Sequence, residues 1–179
     1  MRPVSMAATY YCPRCGLAAL DTVDNKLYGC TDCGYTYFHN TAAAVAAVIY
    51  RGNEIALITR ANEPGQGLLD LPGGFVEGDE SLETAVVREV QEEIGLALHD
   101  PRYLFSMPNR YEYHTIRYRT VDVFFAFDVD DITPFVANEE AAALHWMRLE
   151  DIDLTRVAFE SVRAALRRLL QPRTTGEPA

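Results

Sequence analysis

Lysine is nearly absent from this 179-residue chain, where Lys26 stands alone beside fifteen arginines. With 26 acidic residues against those 16 bases, the formal net charge is −10. Such a surface repels a phosphate backbone, which argues against general nucleic-acid binding. No stretch approaches the ~20 apolar residues of a membrane-spanning helix. The start, MRPVSMAATYYCPRCG, holds no apolar run that would serve as a secretory signal. No membrane partner and a soluble, cytoplasmic protein are therefore expected. Internal repeats and low-complexity stretches are also missing. With 49% hydrophobic and 23% charged residues, the composition is that of a globular protein rather than a disordered one.

Cysteine is missing after residue 33. All four cysteines fall within 22 residues, as Cys12-Pro-Arg-Cys15-Gly, fourteen intervening residues, then Cys30-Thr-Asp-Cys33-Gly. Each C-x-x-C bends two thiolates toward one point, and two such knuckles supply the four sulfurs of a tetrahedral Zn²⁺ site. Two disulfides are the alternative, but the cytosol keeps thiols reduced. Four protein ligands leave no open coordination position, so this zinc is expected to be structural. Residues 1–38 read as a zinc ribbon, too short to bury a core without the metal. Arg2, Arg14 and Lys26 balance Asp21, Asp24 and Asp32 within it, so the ribbon lacks the basic patch of a nucleic-acid adaptor.

After a link at Phe38–Asn40, residues 41–171 read as one α/β domain. Thr41–Tyr50 suits a buried strand, Arg51–Asn53 a turn, and Glu54–Arg60 a second strand. Ala61–Gly67 holds a proline and two glycines, marking a loop. Leu68–Leu71 is short and extended, and Pro72-Gly73-Gly74 breaks it. Further strands are expected at Tyr103–Ser106, Tyr118–Asp128 and Leu144–Leu149. Helices are expected at Ser81–Ile94 and Val157–Leu170, with residues 172–179 a flexible tail.

The first of these helices carries the chemistry. Leu82, Ala85, Val86 and Val90 form an apolar stripe at helical spacing. At ~100° per residue, Glu89 and Glu93 point within that stripe and Glu92 lies beside it. Burying such like charges costs several kcal/mol each without a partner. Arg88 alone cannot neutralise three carboxylates, and it is expected to project away from Glu89. Hard carboxylate oxygens with no sulfur or imidazole nearby favour Mg²⁺ or Mn²⁺.

The segment from Gly74 through Glu80 to Arg88-Glu89-Val90-Gln91-Glu92-Glu93-Ile94-Gly95-Leu96 resembles the Nudix hydrolase signature at every fixed position. The resemblance implies an α/β/α sandwich with a mixed sheet, and hydrolysis of a nucleoside diphosphate linked to a further moiety. It implies Glu89, Glu92 and Glu93 as ligands of the catalytic metal, with the Gly74 carbonyl in addition. Glu80 and Arg88 would hold the loop and orient those carboxylates. Glu140, six residues before Trp146, resembles a further metal-binding glutamate. Non-catalytic nucleotide sensors of this fold carry eroded signatures, whereas every metal-ligand position is kept here.

The four-cysteine ribbon ahead of this signature is similar to that of bacterial NADH pyrophosphatases, a resemblance that implies a homodimer. Their Ser-Gln-Pro-Trp-type motif is absent; the matching region reads Phe105-Ser106-Met107-Pro108-Asn109-Arg110-Tyr111-Glu112-Tyr113. NADH specificity is therefore not expected. Arg110, Tyr111, Tyr113 and Arg117 are candidates for the wall that meets a small nucleotide substrate, aromatics for a base and arginines for phosphate.

Overall fold

The computed structural model describes residues 10–23, 26–113, 116–130 and 139–171, without the side chains of Tyr113, Ile116 and Arg117. The expected tail at 172–179 lies outside the described residues. The chain divides into two compact units, Met1–Asn40 and Thr41–Ala179.

In the first unit, β1 (Leu20–Thr22), β2 (Leu27–Cys30) and β3 (Thr36–Phe38) form an antiparallel sheet in that order. Leu20 pairs with Cys30 and Leu27 with Phe38. Among the described residues its buried interior is Cys12, Leu20 and Cys30. So small a core leaves stability to other interactions.

The second unit is built on a six-stranded mixed sheet. Its centre is β4 (Ala42–Arg51), whose run of alanine, valine and isoleucine suits a strand covered on both faces. β4 runs parallel to β8 (Ile116–Asp128), from Ala42 opposite Thr120 to Tyr50 opposite Asp128. β7 (Arg102–Tyr113) closes that side as an antiparallel edge. On the other side, β5 (Glu54–Arg60) pairs with β4 only at Tyr50–Ile55 and Arg51–Glu54. It then takes β6 (Leu69–Asp70) on the same edge, and β9 (Ala141–Arg148) along its far edge. Where β4 and β5 part, residues 72–76 lie along β4 instead. The amides of Ala47 and Val45 donate to the carbonyls of Pro72 and Gly74, at 2.8 and 2.9 Å.

Two helices cover the sheet. Val45, Ala47, Ile49, Val123, Phe125 and Phe127 pack under α1 (Leu82–Ile94). Ala46, Val48, Phe105 and Phe124 pack under α2 (Glu160–Leu170). The period-two alternation of β4 thus divides one strand between two cores, giving the expected α/β/α sandwich.

Four elements differ from expectation. The hairpin β7–β8 runs well past Ser106 and begins before Tyr118, because cross-strand pairing holds residues with no apolar alternation. Pro108 is accommodated because β7 is an edge strand. β9 begins at Ala141, since its pairing with β5 reaches Arg60. α2 begins at Glu160 and not Val157, because Val157 bridges Leu69 and the Ala158 amide donates to the Leu69 carbonyl at 2.8 Å.

Candidate active site

The side chain of Ser81 caps α1 by accepting from the Thr84 amide at 3.2 Å, and Gly95 ends it in the left-handed conformation. Between these stops Ala85, Val86, Val90 and Ile94 enter the core and fix the rotation of the helix. Glu89 and Glu93 are carried to its buried face, at 8% and 6% exposure. Glu92 stays in water.

Glu93 has its Oε2 on the amide of Gly73 at 2.8 Å. Gly73 sits at φ 151, and a Cβ there would fall 2.1 Å from the Val45 carbonyl oxygen. Only glycine lets the chain lie so close against β4 at this point. Burial pushes the Glu93 carboxyl up to about 9, against the Gly73 amide and with Asp70, Glu89 and Glu140 adding to the rise. Burial raises Glu89 as well, while Arg88 opposes it.

Arg88 does not project away from Glu89. Its Nη1 donates to Glu89 Oε1 at 2.9 Å and to Glu92 Oε2 at 3.0 Å. Its Nε and Nη2 fork onto Glu80 at 3.1 and 2.6 Å, and Nη2 also reaches the Phe75 carbonyl. A long stem lets the guanidinium swing back over its own helix, where the loop before α1 brings Glu80 within reach. The Arg88 bonds and the Glu77 amide hold the Glu80 carboxyl below its usual range.

Arg88, Glu89, Glu92 and Glu93 line a cleft of about 680 Å³, together with Gly74, Glu140, Arg60, Asp70, Tyr111 and Asp122, whereas Glu80 stands behind Arg88 and is not part of the lining. Glu140 reaches it by a route the sequence could not fix: its carbonyl accepts from Ala61, and Asn62 bonds the Glu139 carbonyl. Tyr111 lines the cleft, whereas Arg110 is exposed and does not, since neighbours on a strand face opposite ways. The side chains of Tyr113 and Arg117 lie outside the described residues.

Asp70, Asp122, Arg60, Phe75 and Phe159 also line the cleft and were not foreseen. The available signal was a lone acid in each of two apolar runs, Leu68-Leu69-Asp70-Leu71 and Val121-Asp122-Val123-Phe124. Asp70 pairs with Arg60 at 2.9 Å, yet burial still pushes its carboxyl up to about 6.

In the first unit, Cys12 and Cys33 lie 3.7 Å apart through their sulfurs, as do Cys15 and Cys30. All four sulfurs fall within 4.8 Å of one another, a set able to hold a metal ion. Among the described residues no three carboxylates converge as closely; Arg88 spreads through the acids instead. The donors around α1 are all hard oxygens, which fits a hard divalent cation.

Residues 40–170 match the family model of the NUDIX domain. The chain belongs to the NUDIX family. Similar NUDIX relatives include the NAD-capped RNA hydrolase NudC of Haemophilus influenzae (strain PittGG), 36% identical over 100 residues. That match covers 55% of this chain and 38% of NudC. The ADP-ribose pyrophosphatase of Methanocaldococcus jannaschii is 50% identical over 62 residues, 35% of this chain and 37% of that protein. Both matches thus span well under half of the relative. Among solved structures, the NUDIX domain of Shewanella oneidensis NrtR, complexed with ADP ribose, superposes with a TM-score of 0.60 at 25% identity. It covers 74% of this chain and 90% of that one.

Proposed function

We propose that this NUDIX protein is a divalent-metal-dependent hydrolase. It cleaves the diphosphate of a nucleoside diphosphate joined to a further group, with ADP-ribose as the representative substrate. The observation that carries this is the pair Glu89 and Glu93, two acids desolvated on one helix face at the wall of an acidic cleft. A fold that needed only stability would not keep them there.

Glu89, Glu92 and Glu93 would hold Mg²⁺ or Mn²⁺, with Glu140 and the Gly74 carbonyl in addition. That carbonyl already accepts from Val45 and keeps a second lone pair. When bound, the ion neutralises diphosphate charge and lowers the pKa of a coordinated water. The chain's own residues do the positioning. Arg88, clamped by Glu80, orients Glu89 and Glu92, and the Gly73 amide fixes Glu93 Oε2. Cys12, Cys15, Cys30 and Cys33 would hold a structural Zn²⁺, in keeping with a cytoplasmic protein. A homodimer is proposed on the resemblance of the four-cysteine ribbon alone.

The test is kcat/KM for ADP-ribose and NADH under the same Mg²⁺, since that ratio reports differential transition-state binding. ADP-ribose is expected to be cut at least as well as NADH. A hundredfold preference for NADH would overturn the substrate assignment. Nucleotide binding without turnover of any diphosphate would leave a sensing module and overturn the enzyme assignment.

A further inference from the structure

Part of the cleft wall is aromatic. Phe75, from the segment along β4, meets Tyr111 of β7 edge-on, with ring centroids 5.3 Å apart. Tyr111 in turn lies 5.6 Å from Phe159, the residue that precedes α2. The Arg60 guanidinium sits 4.8 Å over the Phe159 ring. Phe75 keeps 40% of its surface in water. Three adjoining rings along an open cleft form a surface on which a flat heterocycle stacks.

Beside the rings lies a polar floor. Asn109 and Tyr111 alternate on β7, and Asn109 faces Thr120 on β8 in register. Asp122, two residues further along β8, is 8% exposed. Its Oδ1 accepts from the Thr120 hydroxyl at 2.6 Å and its Oδ2 from the Ser161 hydroxyl at 2.5 Å. Among the described residues no cation is paired with it. Each oxygen keeps acceptor capacity, and the metal-binding acids proposed above make no use of Asp122.

We infer that this region is the nucleobase subsite, with Phe75, Tyr111 and Phe159 stacking the ring and Asp122 accepting from the amino group of a purine. The inference rests on the nucleotide-hydrolase proposal and names the base that the site selects. A buried anionic acceptor favours a base edge that donates. A base lacking that donor leaves the carboxylate without its partner, and one presenting an oxygen there adds repulsion. Adenine and guanine both carry an amino group, at different ring positions, and the shared chemistry is that donor.

The experiment is equilibrium binding of mononucleotides to the full chain with Mg²⁺ present. A mononucleotide has no diphosphate to cleave, so failure here is separate from failure to hydrolyse. AMP is compared with purine riboside 5′-monophosphate, which lacks only its amino group, and GMP is compared with IMP for the same reason. In the wild-type protein at least one pair should show a tenfold weaker Kd for the member without the amine. Neither pair doing so overturns the inference, with no variant required. Asp122→Asn should bring that ratio close to one, because the amide presents a donor where the carboxylate accepted. Phe159→Leu should weaken both members alike. A folded Asp122→Asn protein that keeps the wild-type ratio reduces Asp122 to a clasp between β8 and α2, and overturns its role as reader.

Discussion

Gly74 and Glu89 share a space with no room for one more carbon: a Cβ on Gly74 would lie 2.5 Å from Glu89 Oε1. Glycine there lets the carboxylate rest against the loop backbone. Gly74→Ala should fold, because the obstacle is the end of a flexible side chain, but Glu89 must move aside. A misplacement on the order of 1 Å in catalytic machinery costs about a hundredfold. The expected result is a kcat lower by about that factor, with Tm within a few degrees of wild type. Unchanged kcat would show that the Glu89 position carries no catalysis.

Glu93→Gln should separate activity from stability. The amide keeps an acceptor for Gly73 and removes the cost of protonating, on burial, a carboxylate that is ionised in the unfolded chain. Loss of this proposed metal ligand is expected to cut turnover by several powers of ten. Without added Mg²⁺ the same protein should melt higher, by roughly 5–10 °C for a few kcal/mol of relieved desolvation. Activity assays and thermal melts on one preparation decide both.

A pH series tests the same burial. Folding raises Glu93 from 4.5 to about 9 and Asp70 from 3.8 to about 6. Between those limits the folded chain binds more protons than the unfolded one, so each group's stabilisation is complete at low pH and is lost as pH rises. The slope is about 1.4 kcal/mol per pH unit for each group inside its window. Urea denaturation without added Mg²⁺ should therefore show a fall from pH 6 to pH 8.5 that Glu93→Gln removes. Saturating Mg²⁺ should flatten it too, by holding the carboxylate ionised.

The ribbon prediction is elemental. Protein purified without chelators should contain about one zinc per chain, while hydrolysis still requires added Mg²⁺ or Mn²⁺. Cys30→Ser should lose that zinc and unfold the first unit, because so few buried residues among those described cannot hold it. The metal preference of the remaining activity should not change. Wild-type protein free of zinc would count against the site.

Most of this architecture was legible where periodicity or a fixed turn imposed it. β4 and β5 fell at their expected places because an apolar run and a Gly-Asn turn leave little choice. α1 was delimited by Ser81 and Gly95, and its rotation by the apolar stripe, so burial of Glu89 and Glu93 followed. What escaped depended on distant partners. The far halves of β7 and β8 are strands because they face each other across a hairpin edge. Arg88 reverses direction because Glu80, eight residues earlier in sequence, lies across from it after folding. Asp122 meets Ser161 39 residues away, a spacing that carries no local signal.

The parallel pairing of β4 with β8 also orders events during synthesis. The whole signature, from Gly74 to Leu96, is synthesised before Thr120 and Asp128 exist to zip against Ala42 and Tyr50. Until then β4 lacks its central neighbour, and α1 has no finished floor on which to seat its two acids. Non-local strand pairing of this kind is slow. A chain cut near residue 100 would therefore carry every residue of the motif and still be unable to assemble the cleft. The motif is a necessary text, and the hairpin that follows it supplies the page.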